Sequence, residues 1–191
     1  MPRVVDHTGR HGAIAQAVWA LIARGGIETV TLRAVAAEAG MSLGQVQHYV
    51  DNKADLIRRA CAAMIERAEA TYRRDAPEAD PLGSVRTILV HPFARTASAQ
   101  AGVRVWLGFI AKSVDDAGIA ELINEAKAGT EDEIARLLEA ASADPSLART
   151  LVALSDGLAE RTLTGAITPL EAESAIDRAL QLLCAAARPG A

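Results

Sequence analysis

Aromatic residues are scarce in this chain: two Trp, two Tyr and two Phe make 3% of 191 residues. Half of the residues are nonetheless hydrophobic, so the apolar mass is Ala, Leu, Ile and Val, a composition that favours packed helices over sheets. No apolar run approaches the roughly 18 residues needed to span a bilayer, and no signal-peptide core opens the chain. A cytoplasmic location without membrane partners is expected. The two cysteines, Cys61 and Cys184, lie far apart and match no C-x-x-C spacing; free buried thiols fit them better than a redox switch or intersubunit disulfide. His7, His11, His48 and His91 are scattered, with no H-x-x-x-H or acid-paired spacing. A phosphate loop, a Gly-x-Ser-x-Gly elbow and a metal cluster are all lacking, so neither catalysis nor a metal or cofactor is expected.

Net charge is −4, which by itself speaks against nucleic acid. Its distribution does not. Residues 1–74 hold ten Lys/Arg against seven Asp/Glu, and the remaining 117 hold ten against seventeen. A mildly basic head on an acidic body suits a protein that meets DNA with one end.

What the chain has in quantity is helical punctuation. Apolar positions Ile14, Ala17, Val18, Leu21 and Ile22 form one stripe over about 10–24, closed by Gly25-Gly26. Residues 1–9 read as an arm, with Arg3 and Arg10 in reach of a phosphate or simply solvated. Asn52 is a good N-cap for a long helix from Lys53 to about Arg74. Asp80-Pro81, Asp144-Pro145 and Thr168-Pro169 each place a cap before a Pro at the first helical position, and Thr168 with Glu171 makes a capping box. Helices are expected over about 81–90, 97–114, 119–141 (after a break at Gly118), 146–165 and 170–187. With two short helices before residue 51, the count reaches nine and the fold is all-α.

Those two short helices fill Thr31 to Lys53. Thr31 caps the first, whose Leu32, Val35, Ala36 and Ala39 repeat at helical spacing; Gly40 closes it. Ser42 and Gln45 stand in the S-x-x-Q relation that starts the second at Leu43. Helix, glycine turn, helix is the arrangement that sets a recognition helix into a DNA major groove. Gln45, Gln47, His48 and Tyr49 fall on or near its outer face, with Val46 and Val50 inward.

From about Ile14 to Leu56 the sequence resembles the DNA-binding domain of the TetR family of bacterial transcriptional regulators. The matching run is a first helix ending in Gly-Gly, then Val-Thr-Leu-Arg, Ala-x-x-Ala-Gly-Met-Ser-x-Gly and His-Tyr-Val-x-Asn-Lys-x-x-Leu. Val-Gln-His-Tyr is most similar to the betaine-regulator-like (BetI) branch. Two departures stand out: Gln47 where the family usually has Tyr, and Val50 where it has Phe.

The resemblance implies a helix-turn-helix domain over 1–52 and a helical effector-binding and dimerisation domain over 53–191. It also implies a homodimeric regulator, most often a repressor, that binds a palindromic double-stranded operator and is released by a small-molecule effector. Thr31, Ser42 and Gly44 would lie on the DNA side, Thr31 at a phosphate. Arg33 matches a position that in some relatives reaches a base edge, although a plain surface arginine fits it too. Gln45, and less clearly Gln47, could pair with adenine. Leu43 would touch a thymine methyl, and His48, Tyr49 and Lys53 would meet phosphates. Lys53 opposes its own helix dipole, a cost that DNA would offset.

In the family the fourth to eighth helices enclose an effector cavity. Here Met64, Trp106, Phe109 and Ile110 would line it, with His91 or Arg104 as a polar handle; ordinary core or surface positions fit each of them as well. Leu151, Leu154 and Leu158 of the eighth helix, with Ile176, Leu180 and Leu183 of the ninth, are the expected dimer face, unless they pack within their own subunit. Gly157 and Gly165 would allow close approach there. The competing reading is a helical ligand-binding or scaffolding dimer that has lost specific DNA binding.

Overall fold

The computed structural model describes residues 7–75, 80–93 and 95–186. Among them are nine α-helices and no strand: α1 His7–Gly25, α2 Leu32–Glu38, α3 Leu43–Tyr49, α4 Lys53–Asp75, α5 Pro81–Val90, α6 Ala97–Ser113, α7 Ala117–Ala140, α8 Ala148–Leu163 and α9 Pro169–Ala186. Among the described residues, no helix is long and apolar enough to cross a membrane. The chain forms two compact units, one of residues Met1–Ala68 with Arg104–Ile123, the other of Glu69–Val103 with Asn124–Ala191. The long helices α4, α6 and α7 each give residues to both.

The first unit is built on valine and leucine. Val18 of α1, Val35 of α2, Val46 of α3 and Leu56 of α4 have no exposed surface, and Phe109 and Ile119 complete the same core. Side chains of this kind stabilise by about 1.5–3 kcal/mol each when fully buried. That matters most for α2 and α3, since seven-residue helices are not stable alone. Two polar links tie α1 to its neighbours α4 and α2. Trp19 Nε1 donates to the Ala60 carbonyl at 2.9 Å, and Arg24 of α1 donates to Glu38 of α2 at 3.0 Å.

The second unit packs α5, α7, α8 and α9 around Val85, Leu89, Ile134, Leu138, Leu151 and Ile176. Its buried polar groups are answered: Ser155 Oγ donates to the Leu89 carbonyl at 2.6 Å. Buried Glu173 of α9 accepts from Arg95 at 2.6 Å and from Arg86 at 3.5 Å.

Several boundaries differ from the sequence reading. Helix α1 begins at His7, so residues 7–9 are helical; Arg3 lies outside the described residues. Asp144 does cap, accepting from Ser146 N at 2.9 Å, but it caps a 3-10 turn over Pro145–Leu147, and α8 starts only at Ala148. Gly118 does not break α7; it lies in the first turn, and the cap is Asp116, which accepts from Gly118 N and Ile119 N. Gly165, with φ 74°, closes α8 in a Schellman turn, Ala166 N donating to the Arg161 carbonyl at 3.0 Å. Its role is to end a helix.

Candidate nucleic-acid interface

Helix α3 is fixed at three points. At its start, Ser42 Oγ accepts from Gln45 N at 3.2 Å while Gln45 Oε1 accepts from Ser42 N at 2.8 Å. In the middle, Val46 is fully buried, and Val50 is buried just past the end. At its last turn, the half-buried Tyr49 ring meets the His11 imidazole of α1 edge-on, with centroids 4.9 Å apart and planes at 82°, and lies 5.4 Å from His48. The turn before the helix is equally defined. Gly40 takes φ 63°, and Met41 N donates to the Ala36 carbonyl at 2.9 Å.

What remains outward is the other face. Gly44, Gln45, Gln47 and His48 are exposed, and Leu43 is half-buried. An added Cβ at Gly44 would meet nothing within 4 Å, so the backbone of the first turn is open to a close approach. Thr31 Oγ1 accepts from Ala34 N at 3.1 Å as the cap of α2. A hydroxyl that accepts at a cap still has its O–H to donate, which leaves Thr31 and Ser42 each one donor for a phosphate. Arg33 is exposed in the first turn of α2.

Two expectations change in detail. Gln45 was the favoured adenine reader, but its carbonyl oxygen is engaged with Ser42 N. A two-point grip on adenine needs that oxygen as well as the amide N–H; the oxygen keeps a second lone pair, but its bond to Ser42 N ties the side chain to the start of its own helix. Gln47 carries no such commitment. Lys53, expected to rely on DNA to offset its helix dipole, already has Glu28 at 3.9 Å. An exposed pair of this kind is worth at most about 1 kcal/mol. Asn52 caps α4 as anticipated, accepting from Asp55 N at 3.0 Å.

Behind the interface, Arg58 of α4 donates to Asp116 Oδ1 at 2.9 Å. Burial opposes the Asp116 charge, yet the hydrogen bonds from Arg58 and from the N–H groups of Ile119 and Gly118 prevail and hold its pKa below the ordinary value. Cys61 is buried among apolar neighbours, which pushes its thiol up to about 11.

The residues proposed for an effector divide between the two units. Met64, Trp106 and Ile110 are half-buried against the first unit's core around Phe109, which has no exposed surface. Arg104 is exposed. His91 belongs to the second unit, at the end of α5, its ring 6.4 Å from Tyr72. The residues expected at the dimer face differ in burial. Leu151 and Ile176 are wholly buried in their own unit, so neither has surface to give a second chain. Leu154, Leu158 and Leu180 are half-buried on the same core, and the Leu183 side chain lies outside the described residues. Sequence reasoning did not single out another face of α9, where Leu170 and Leu182 are 69% and 66% exposed. They flank an open groove with Ser174 and Arg178 between them. The i, i+4 spacing of these four residues was the available signal.

Known proteins place this geometry in context. Residues 14–60 match the model of bacterial regulatory proteins of the tetR family, and residues 81–185 match that of the BetI-type transcriptional repressor C-terminal domain. The chain is 30% identical over 184 residues to the HTH-type transcriptional regulator BetI of Burkholderia ambifaria, covering 92% of this chain and 93% of that one. It is 32% identical over 114 residues to the HTH-type transcriptional regulator PksA of Bacillus subtilis, a match that spans 58% of this chain and 55% of that relative. Among solved structures, a TetR-family transcriptional regulator from Rhodococcus sp. superposes with a TM-score of 0.82 at 24% identity, over 92% of this chain and 99% of that one. A transcriptional regulator from Saccharomonospora viridis, solved in complex with choline, gives 0.77 at 22% identity, over 91% and 96%.

Proposed function

This chain belongs to the tetR family of bacterial regulatory proteins, with a BetI-type C-terminal half, and from that premise we propose a dimeric repressor that grips a palindromic operator and lets go when a small molecule binds. It is a transcriptional regulator; its relatives are regulators and not enzymes. The observation that carries the DNA-reading mechanism is the state of α3. It is a short helix capped at Ser42, backed by Val46 and Val50, and open along Gly44, Gln47 and His48.

Each exposed group has a role that its chemistry suits. Gly44 lets the backbone come close to the duplex. Gln47 offers an amide for adenine, and Arg33 a fork for guanine, each worth about 1–3 kcal/mol of discrimination. Leu43 meets a thymine methyl. The hydroxyls of Thr31 and Ser42, with His48, Tyr49 and Lys53, hold the phosphates and fix the register. A single head offers few contacts, so two heads on a two-fold dimer are needed, with half-sites about 34 Å apart or a multiple of that.

The second copy is placed along α8 and α9. There Leu170 and Leu182 are exposed, while Ala153 and Gly157 of α8 leave an exposed face without bulk. The effector acts by population shift: it prefers an arrangement in which the heads do not match the half-sites, and weakens DNA binding by its differential affinity, about 1–3 kcal/mol. Choline, held by the Saccharomonospora viridis relative, is the first compound to try.

Selection of bound sequences from random duplex DNA tests the reading. An inverted repeat is the expected product. Enrichment of no sequence at low salt would remove the operator reading and leave a ligand-binding helical dimer.

A further inference from the structure

Nothing in the family resemblance draws attention to His11, which sits on α1, outside both helices of the helix-turn-helix. Its imidazole nevertheless makes an aromatic contact from α1 onto the recognition helix, edge-on to Tyr49 with centroids 4.9 Å apart and planes at 82°. His48 meets the same phenol ring at 5.4 Å and 81°. The Tyr49 ring is thus held between an imidazole of another helix and the imidazole of its own neighbour.

We propose that His11 is a positioning residue for DNA binding, acting through Tyr49; the proposal rests on the DNA-reading function set out above. Helix α3 is short. Seven residues make under two turns, too few to hold their own shape. The capping box secures the first turn and Val46 the second. Past Val46, Val50 and Tyr49 tie the end of the helix to the core. Tyr49 is the one of the two that keeps exposed surface, and its phenol O–H has the chemistry to serve a phosphate.

A ring that is free to turn must be ordered when DNA arrives, and ordering one such side chain weakens binding. His11 helps to order it beforehand. The edge-to-face geometry suits an aromatic pair, since the ring edge is electropositive and the ring face electronegative. His11 is itself exposed, so its removal opens no cavity in the core, and its effect on folding should be small.

The test is a double-mutant cycle read by fluorescence anisotropy at low salt. It uses the purified full chain with two labelled duplexes, the site recovered by selection and a scrambled duplex of equal length. His11→Ala should weaken binding to both by about 2- to 10-fold, the range expected for one aromatic pair, with little change in melting temperature. His11→Phe, which keeps a ring edge and drops the imidazole nitrogens, should restore affinity to within about twofold of wild type. In a Tyr49→Leu background His11→Ala should have no further effect. The proposal is overturned if His11→Ala binds as wild type does, if its loss persists without Tyr49, or if His11→Lys restores binding where His11→Phe does not. That last result would make His11 a direct phosphate contact. Failure of the wild type to bind either duplex would instead bring down the DNA-reading function itself, and this proposal with it.

Discussion

Asp116, at the entrance to α7, accepts Arg58 of α4 at 2.9 Å and at the same time caps its own helix through Gly118 N and Ile119 N. One buried carboxylate therefore joins the helix that follows the recognition helix to the corner between α6 and α7. Gly118 makes room for it: a Cβ there would lie 2.6 Å from Arg58 Nε. Asp116→Ala strands two N–H groups and a guanidinium, and should cost about 1–3 kcal/mol. Gly118→Ala keeps the cap but pushes Arg58 aside, and should cost less. Urea denaturation of the two variants checks the order.

The same group sets a pH dependence. The Asp116 pKa is lowered by folding, so the unfolded chain binds the proton more readily. The stability it contributes is fully present above the ordinary carboxylate value and is lost as pH falls from there through the lower folded value. Melting temperature should drop on acidification below about pH 4, the ordinary Asp range, and Asp116→Asn should flatten part of that drop. A variant with an unchanged acid limb would remove Asp116 from the account.

At Gly44 stability and function should part company. Nothing lies within 4 Å of a Cβ added there, and alanine favours a helix over glycine by up to about 1 kcal/mol. Gly44→Ala should melt at the same temperature as wild type or higher, yet bind DNA more weakly, because the methyl group stands where the duplex approaches. Equal affinity in a gel-shift titration would mean that α3 does not seat closely in the groove.

Why some of this was legible and some not follows from the range of the interactions. The caps at Thr31, Ser42, Asn52, Asp80 and Thr168 span three residues, so the sequence displays both partners, and the structure has each one accepting the expected N–H. Asp116 was missed because its glycine neighbour looked like a helix break, and its decisive partner, Arg58, lies 58 positions away. His11 and Tyr49, 38 residues apart, were unreadable for the same reason. Leu151 and Ile176 show the opposite limit. Periodicity marks a residue as inward-facing, but does not say whether the interior belongs to one chain or to two.

Base reading should rest on Gln47 more than on Gln45. Gln47→Ala should relax preference at one position of each half-site while leaving binding to scrambled DNA unchanged. Gln45→Ala also removes half of the Ser42–Gln45 box and should lower helix stability and affinity together, for every sequence. Lys53→Ala should weaken all duplexes alike and reduce the salt slope by about one. Binding to the selected site and to a scrambled duplex across a salt series separates the three. A Gln47→Ala variant with unchanged sequence preference would return the adenine contact to Gln45.

The dimer makes a paired prediction from two leucines on neighbouring helices. Leu182 is 66% exposed on α9, whereas Leu151 on α8 has no exposed surface. Leu182→Glu changes nothing that the subunit uses to fold, but it sets like charges against each other wherever two copies meet along α9. It should yield a folded monomer with a wild-type helical spectrum, and lose operator affinity because a single head has too few contacts. Leu151→Ala leaves a hole in the second unit's core and should cost about 2–5 kcal/mol, lowering the melting temperature with the dimer intact below it. Sedimentation equilibrium together with thermal melts distinguishes the two. A Leu182→Glu protein that still sediments as a dimer would place the partner on another face.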